Sequence, residues 1–372
     1  MERGRPGTNW IPIILVAALC AIGLMTLAST DYYSGDAFHR NQMVRMLIGV
    51  LVCLAFRYID IRLFERFALG SYIVVVLLLI GTALVGKEVY GSRRWLELGG
   101  LVIQPSELMK VALILALARF IHRTKGAEEY TIRHLVKPFS LILLPCALVV
   151  NQPDLGTTLI LVFISGSMLF FEGIRFRSVL LLLALVGLIV PMAWQFDMIE
   201  EYQKDRVILW IQGDELDASD PEQKRILDKN LQTEQALWAI GSGKAVGKGR
   251  LKGNRARLKY LPEIHNDFII AIYAEEYGFL GVMGLLALYV FLFLWILRVA
   301  RNTSQKFSAM VAIGTGAMLF WQFFVNIGMV TGLLPVVGLT LPFVSYGGSS
   351  LLTSFIALGL VLNIRSGRVK IA

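Results

Sequence analysis

A single aspartate marks a sharp change of composition in this sequence. Asp267 ends the polar stretch LPEIHND and is followed at once by the apolar run FIIAIYAEEYGFLG. A carboxylate at such a boundary can act as a general base that takes a proton from a reacting hydroxyl group. It can equally cap the helix that the apolar run predicts. Glu275 and Glu276 lie about two turns further along that helix, so we do not expect them to contact what Asp267 contacts.

The residues before Asp267 carry a dense positive charge. Lysine, arginine and glycine are interleaved between 244 and 259, and no acidic residue interrupts them. Glycine lets backbone N–H groups approach an anion, and lysine and arginine neutralise phosphate charge. Anionic lipid headgroups would satisfy the same cations. The lack of any acid favours a specific phosphate-bearing ligand over this alternative.

Two further clusters place charge among apolar residues. Glu107 and Lys110 are three residues apart in QPSELMK, hence on one face of a helix that begins near Pro105. The pair is consistent either with neutralisation that lets the span insert or with orientation of a site. Asp154, in NQPDLGTTL, lies between two apolar runs. We favour helix capping for it, with a contribution to a site as the lesser alternative.

The segment LLPVVGLTLPFVSYGGSSLL, residues 333–352, interrupts regular helix with prolines and glycines. Irregular backbone at membrane depth is tolerated where it is buried in protein or lines a cavity. Its hydroxyl groups, including those of Ser345 and Ser349, are therefore predicted to line a cavity. Close packing of helices through small residues explains them as well.

The elements that must position these clusters are membrane helices. The chain has 372 residues, 56% of them hydrophobic and 17% charged, and its continuous apolar runs predict helices and not a β-barrel. We predict an all-α polytopic membrane protein with a single integral membrane domain over 1–372. The eighth of its ten spans is long enough to tilt or to include a turn outside the membrane. The predicted spans are roughly 10–29, 42–58, 65–86, 105–122, 136–151, 155–172, 177–196, 267–299, 307–332 and 342–364.

Basic residues concentrate in the short loops on the N-terminal side of the membrane, which places both termini in the cytoplasm. The large loop between spans seven and eight, 197–266, is then extracytoplasmic. Part of it is predicted to be a helix that starts near Asp220 and Pro221. The net charge of +9 follows mostly from the same rule, so we expect membrane lipids and no nucleic acid as partners. An uncleaved first span is favoured over a signal peptide because many spans follow it.

The sequence contains no pattern that demands a cofactor. Cys20, Cys53 and Cys146 all fall within apolar spans and show neither disulfide nor metal-site spacing. We therefore assign no metal-binding residues. A divalent cation bound by the phosphate groups of a ligand stays open as an alternative.

Five motifs, in this order among ten spans, resemble the SEDS family (shape, elongation, division, sporulation). The resemblance covers essentially the whole chain. The compact length and the KGRLKG…YLPEIHNDF form are more similar to the elongation branch, RodA, than to the division branch, FtsW. The matching motifs are GSRRWLELGGLVIQPSELMK, QPDLGTTL, AIGSGKAVGKGRLKG, LPEIHNDFIIAIYAEEYGFLG and LPFVSYGGSSLL.

The resemblance implies a peptidoglycan glycosyltransferase of the bacterial cytoplasmic membrane. Family members polymerise lipid II, a disaccharide-peptide on undecaprenyl pyrophosphate, at the outer face of that membrane. They work beside a class B penicillin-binding protein, which cross-links the new strand. The family's essential aspartate corresponds to Asp267, its glutamate and lysine to Glu107 and Lys110, and its arginine-tryptophan element to Arg94 and Trp95.

With such a substrate, each cluster receives an expected role. Asp267 is the expected general base for a sugar 4-hydroxyl group. Positive charge stabilises a departing pyrophosphate. The expected pyrophosphate contacts are Arg94, Lys248, Arg250 and Lys252, and the expected supporting residues are Glu107, Lys110, Trp95 and Asp154.

Departures from the family pattern leave these assignments in place. Asn266 stands where the family commonly has threonine, and Lys244 stands where a glycine is usual. The stretch Arg255-Ala256-Arg257 replaces a more polar one and adds positive charge.

Two other classes of function remain open. A lipid II flippase would also have many spans and broken helices. Our topology concentrates the unusual polar residues on the outer side, which favours an enzyme. A scaffold that only recruits a transpeptidase would need neither Asp267 nor the cations.

Overall fold

The computed structural model describes residues 10–35, 37–89, 92–98, 101–124, 132–173, 201–212, 231–253 and 266–366, and the fold is given for these ranges. Within them the chain is mostly helical, as predicted. The helices are α1 (Trp10–Ser34), α2 (Phe38–Tyr58), α3 (Ile61–Val85), α4 (Pro105–Arg123), α5 (Ile132–Val150), α6 (Leu155–Glu172), α7 (Glu201–Gln212), α8 (Leu231–Gly243), α9 (Ile269–Arg301), α10 (Lys306–Val330) and α11 (Gly348–Ser366).

Nine of the ten predicted spans correspond to helices of this bundle. The seventh, 177–196, and the helix start at Asp220 and Pro221 lie outside the described residues. Among those described, 7 helices are long and apolar enough to cross a membrane. These are α1, α2, α3, α6, α9, α10 and α11.

Helix α4 differs from its neighbours because it carries several charges and lies inside the bundle. It packs against α3, α6 and α10, and nearly all of its side chains from Pro105 to Ala118 are buried. Surrounding helices therefore shield its polar residues from lipid. This position makes α4 the scaffold on which the residues at its N-terminus are held.

A small sheet that the sequence analysis did not predict connects α3 to α4. Strand β1 (Lys87–Val89) pairs antiparallel with β2 (Ser92–Leu98), which pairs antiparallel with β3 (Leu101–Ile103). The strands are short, and their sequence lacks a long run of alternating polar and apolar residues. Strand β2, which carries Arg94 and Trp95, contacts both α3 and α4.

The irregular segment between α10 and α11, which we call the re-entrant loop (331–347), enters the bundle. Its Val344 carbonyl oxygen lies against Gly23, near the middle of α1. The Tyr289 hydroxyl group of α9 donates a hydrogen bond to the Pro342 carbonyl oxygen at 2.5 Å. The second half of the loop, 339–345, is thus largely buried in protein, as predicted from its prolines and glycines, whereas 331–338 is half-buried or exposed.

Helix α9 is interrupted near its start. Gly278 has φ 66° and ψ −167°, a conformation that only glycine adopts readily. The residues before the break, 269–276, are all buried, whereas Phe279 and Leu280 just after it are exposed. A straight helix of 33 residues would be about 50 Å long, more than the hydrocarbon core requires. The break therefore separates an internal segment from the part that can cross the membrane.

A glycine-rich loop restores the hydrogen bonds that the break removes. Residues 244–253, here called the anchor loop, lie along the interruption. Lys248 N–H and Gly249 N–H donate to the carbonyl oxygens of Glu275 and Glu276, each at 3.0 Å. On the other side, Phe279 N–H and Leu280 N–H donate to the Lys244 and Ala245 carbonyl oxygens at 2.8 and 3.0 Å. The loop and the interrupted helix consequently form one unit.

Replacing Gly278 with alanine is expected to destabilise the protein. The strained backbone alone would cost of the order of 1–3 kcal/mol. A Cβ atom at this position would also lie 2.2 Å from the Gly247 backbone nitrogen, too close for any real contact. Thermal unfolding in detergent should show a lower Tm for Gly278→Ala. Gly284→Ala in the same helix is the matched control, because a Cβ there meets nothing within 4 Å. Equal Tm values for the two variants would contradict this prediction.

Candidate functional site at one end of the bundle

The polar residues singled out by the sequence gather at one end of the bundle. We call this the site end: α1, α3, α5 and α10 end there, and α2, α4, α6, α9 and α11 begin there. Helix N-termini carry partial positive charge and unpaired N–H groups. Several of them at one end make the surroundings favourable for an anionic ligand.

Asp154 connects three elements at the site end. Its Oδ1 accepts a hydrogen bond from Thr157 N–H at 3.1 Å, which confirms the predicted cap of α6. Its Oδ2 accepts from Gln104 Nε2 at 3.0 Å and from Ser106 Oγ at 3.1 Å, both at the start of α4. Gln104 N–H in turn donates to Ser349 Oγ at 3.0 Å, at the start of α11. The buried carboxylate therefore fixes the relative positions of these helix N-termini.

Arg94 fastens the small sheet to the same region. Its Nε donates to the Gln152 carbonyl oxygen at 2.8 Å, and its Nη2 donates to the Pro153 carbonyl oxygen. Both acceptors belong to the turn between α5 and α6. Arg94 thus contacts protein through part of its guanidinium group, in addition to any contact it makes with a ligand. Trp95 lies beside it on β2, half-buried.

Asp267 lies where α9 meets the re-entrant loop. The N-cap residue of α9 is Phe268, so Asp267 precedes the cap position that the alternative interpretation gave it. Asn326 Nδ2 donates to the Asp267 carbonyl oxygen at 3.0 Å and to the Leu339 carbonyl oxygen at 2.6 Å. A Cβ atom built on Gly338 would lie 3.6 Å from Asp267 Oδ2. The backbone of this half-buried residue is therefore fixed beside the loop, and its carboxylate lies close to Gly338.

Glu107 and Lys110 form the predicted ion pair. Lys110 Nζ lies 2.7 Å from Glu107 Oε2, and both side chains are buried. Neither of these two atoms has any other hydrogen-bond partner within the ranges that the structure describes. Each charge thus depends on the other, because an ion buried without its counter-charge is strongly unfavourable.

The predicted phosphate-binding cations divide into two kinds. Lys248 Nζ lies 2.6 Å from Glu275 Oε1, a fully buried carboxylate, so its charge is compensated within the protein. Arg250 and Lys252 are exposed on the anchor loop. Arg255, Arg257 and Lys259 lie outside the described residues.

The two predicted cavity serines are buried and serve as hydrogen-bond acceptors. Leu341 N–H donates to Ser345 Oγ at 2.9 Å, and Gln42 Nε2 donates to the Ser345 carbonyl oxygen at 2.9 Å. Ser349 Oγ accepts from Gln104 as described above. Both serines hold the re-entrant loop and its flanking helix in place. Their packing role is therefore visible, and a cavity-lining role remains a prediction.

Sequence reasoning missed Gln104 and Asn326, which join the loops of the site. The signal for Asn326 was an amide in an apolar span, one turn after Gln322, and the signal for Gln104 was its position just before a helix start. Within the described ranges, no three or more His, Cys, Asp or Glu side chains come together as metal ligands. That the protein requires no cofactor stays a prediction.

Comparison with known proteins covers nearly the whole chain. The chain is 37% identical over 357 residues to peptidoglycan glycosyltransferase MrdB of Escherichia coli K12, covering 96% of this chain and 92% of MrdB. It is 33% identical over 368 residues to a probable peptidoglycan glycosyltransferase FtsW of Coxiella burnetii, covering 95% of each.

Solved structures of similar proteins have the same fold. The rod shape determining protein RodA of Thermus thermophilus superposes with a TM-score of 0.72 at 29% identity, over 98% of both chains. A chain from a peptidoglycan synthase complex that coordinates polymerization and crosslinking gives a TM-score of 0.80 at 31% identity, over 98% of this chain and 99% of that one. The sequence model of the FtsW/RodA/SpoVE family, described as cell cycle protein, matches residues 9–369. The chain belongs to the FtsW/RodA/SpoVE family.

Proposed function

We propose that this protein is a peptidoglycan glycosyltransferase that polymerises lipid II into glycan strands during cell elongation. The observation that carries the proposal is the position of Asp267: a carboxylate held against the re-entrant loop, at the end of the bundle where several helices begin. The names of the similar proteins, peptidoglycan glycosyltransferases, support the same activity. The similarity of this chain to MrdB and RodA supports the role in elongation.

In the proposed reaction, Asp267 is the general base. The 4-hydroxyl oxygen of the acceptor sugar attacks the anomeric carbon of the donor, and its proton passes to the Asp267 carboxylate. The bond from the anomeric carbon to the pyrophosphate oxygen breaks, and undecaprenyl pyrophosphate leaves with the bonding electrons. By analogy with glycoside chemistry, the transition state is oxocarbenium-like. A single displacement inverts the anomeric carbon from α to β.

Positive charge on this chain stabilises the leaving group. The candidates are Arg250 and Lys252, which are exposed on the anchor loop, and Arg94 on the middle strand of the sheet. Lys248, the fourth predicted cation, lies on the same loop with its charge paired to Glu275. Fixed cations and helix N-termini oppose the charge that develops on the pyrophosphate without reorganising during the reaction. We assign Asp154, Trp95 and the Glu107–Lys110 pair to support of the site. A divalent cation, if one participates, would bind chiefly to the substrate phosphates.

An apolar groove offers a place for the lipid part of the substrate. It has a volume of about 250 Å³ and lies between α2 and α3, with α4 and α11 behind it. Its lining is aromatic and aliphatic, and Leu108 lies at the α4 part of the groove, next to Glu107. Helix α2 packs mainly on α11 and α3 mainly on α4, which leaves the groove between them. The lining includes Phe56, Phe64, Phe67, Val75 and Ile356.

The protein is a multi-pass membrane protein, and we place it in the bacterial cytoplasmic membrane. Both termini face the cytoplasm, the site end faces outward, and the chain forms one integral membrane domain with the loop 197–266 outside. The distribution of basic residues supports this orientation. An outward site matches a substrate whose sugars are polymerised outside the cell.

We also propose a class B penicillin-binding protein as partner. The structural similarity to a chain of a peptidoglycan synthase complex supports a partner that cross-links the strand. Such a partner would dock through a membrane helix on a helix face of this bundle.

A polymerisation assay tests the proposal directly. The purified chain, alone and with a partner transpeptidase, would be incubated with lipid II in detergent micelles. We expect glycan strands longer than the starting disaccharide, detected by gel electrophoresis. Strands formed without a membrane barrier cannot arise from transport, so this result would also exclude a flippase as the sole activity. Lipid II recovered unchanged in both samples would contradict the proposal.

A further inference from the structure

The two glutamates of α9 hold the anchor loop through their side chains as well as their backbone. Glu275 Oε1 lies 2.6 Å from Lys248 Nζ and accepts a longer hydrogen bond, 3.4 Å, from Ser242 Oγ. Glu276 Oε1 accepts from Leu251 N–H at 2.9 Å. Its Oε2 accepts from Ser29 Oγ of α1 at 3.1 Å. Glu276 is 1% exposed and Glu275 is fully buried, which makes these contacts costly to leave unmade.

The anchor loop needs such restraint because its backbone is strained. Leu251 has φ 60° and Lys244 has φ 51°, values that residues with a side chain seldom adopt. The hydrogen bond from Leu251 N–H to Glu276 holds one of these positions directly. Close approach of the loop to α9 fixes another, since a Cβ atom on Gly247 would lie 2.1 Å from the Glu276 carbonyl oxygen. The loop conformation therefore depends on the helix beneath it.

The same glutamates are linked to Asp267 by a rigid segment. Residues 269–276 form a buried helical stretch that starts just after Asp267. A helix rises about 1.5 Å per residue, so Glu275 and Glu276 lie about 12–14 Å from Asp267 along the axis. Arg250 and Lys252 flank the residue that Glu276 holds. Their long side chains can bridge part of this distance toward a substrate phosphate.

We propose that Glu275 and Glu276 are positioning residues that hold Arg250 and Lys252 at a set distance from Asp267, and that Lys248 is the cation of this anchor and does not contact substrate. The inference rests on the function proposed above. The anchor loop thus contains residues of two kinds. Lys248 and the glycines bind the interrupted helix, and the exposed cations Arg250 and Lys252 face the substrate.

Hydrogen exchange of the full-length protein in detergent tests the anchor without reference to activity. In Glu276→Ala, the amides of residues 244–253 should exchange about tenfold faster than in wild type, because the Leu251–Glu276 hydrogen bond no longer opposes local opening of the loop. Glu276→Gln keeps an acceptor for Leu251 N–H and should restore slow exchange. The Tm of both variants serves to exclude global unfolding. Unchanged exchange of this loop in Glu276→Ala would overturn the proposal.

Polymerisation kinetics test whether the anchor acts through the exposed cations. We expect Glu276→Ala and Arg250→Ala/Lys252→Ala each to lower kcat/KM for lipid II about tenfold. Because they affect the same contact, the combined variant should be no worse than Arg250→Ala/Lys252→Ala alone. Multiplied losses in the combined variant would overturn the positioning role.

A third comparison concerns Lys248. Lys248→Met leaves Glu275 buried without its cation and should both speed amide exchange of residues 244–253 and lower kcat/KM about tenfold. Because Lys248→Met/Glu275→Leu loses the same contact, it should be no worse than Lys248→Met alone. A lower kcat/KM in Lys248→Met with unchanged exchange would identify Lys248 as a substrate contact and overturn its assignment. If the wild-type protein makes no polymer, the proposed function fails, and the exchange measurement still decides whether the glutamates hold the loop.

Discussion

Replacing Asp267 with asparagine is expected to lower polymerisation of lipid II by about 10²–10⁴-fold, the range that a general base contributes. Asparagine has nearly the shape of aspartate but cannot accept the proton of the sugar hydroxyl group. The Asp267 backbone contact with Asn326 is unaffected by the change. The Tm and the affinity for lipid II should therefore stay close to those of wild type. The measurement is strand formation per unit time in reconstituted membranes, with binding followed separately.

Asp60→Asn provides a matched control for this substitution. Asp60 caps α3 at the opposite end of the bundle, where its Oδ1 accepts from Arg62 N–H at 2.9 Å. Asparagine caps helices about as well as aspartate, so Asp60→Asn should polymerise normally. If Asp267→Asn polymerised as fast as Asp60→Asn, Asp267 would have no catalytic role, and its position beside the re-entrant loop would be structural.

The second large effect is expected for Lys110→Met. The change leaves Glu107 buried without its counter-charge, which costs about 3–5 kcal/mol when one member of a buried pair is removed. The variant should unfold at a clearly lower temperature in detergent. Glu107→Leu/Lys110→Met removes both charges and should recover most of the stability, because apolar side chains of similar size suit this position inside the bundle.

The double variant also decides between the two interpretations of the pair. Recovered stability with lost polymerisation would show that the pair orients the site, whereas recovery of both would show that it is structural only. The pair of Lys306 and Glu172 serves as control because the Lys306 side chain is 41% exposed: Lys306→Met should cost clearly less than Lys110→Met, about 1 kcal/mol. A Lys110→Met variant as stable as the control would contradict the predicted dependence of each buried charge on the other.

Local rules predicted the parts of the site that depend on neighbours in sequence. Asp154 caps α6 as its position before an apolar run indicated, and Glu107 and Lys110 pair as their spacing on one helix face required. The spans were predictable for the same reason, since the length of an apolar run determines whether a helix can cross the membrane. The small sheet was missed because its strands are too short to show a period.

Contacts between distant segments could not be predicted in this way. Glu275 and Glu276 looked like charges inside a long helix, about two turns beyond Asp267. Glu276 accepts a hydrogen bond from Ser29 of α1. Both glutamates mainly hold the anchor loop, which can reach α9 because the helix is interrupted at Gly278. The glycines of that loop were interpreted as places for a phosphate to approach. Gly247 instead admits the backbone of α9, and Gly253 lies against the Glu275 side chain.

The sequence by itself thus determined the class of protein, the helices that cross the membrane, the family motifs and the residue types available for chemistry. These properties follow from the length of apolar runs, the charge and the local spacing of residues, all of which depend only on residues close together in the sequence. Only the tertiary structure decided which cations are compensated and which remain exposed, and how Asp267 is held against the re-entrant loop. Those features depend on where the chain breaks its helices and on which distant groups satisfy the freed hydrogen bonds, and burial energies enforce such pairings only in the folded protein.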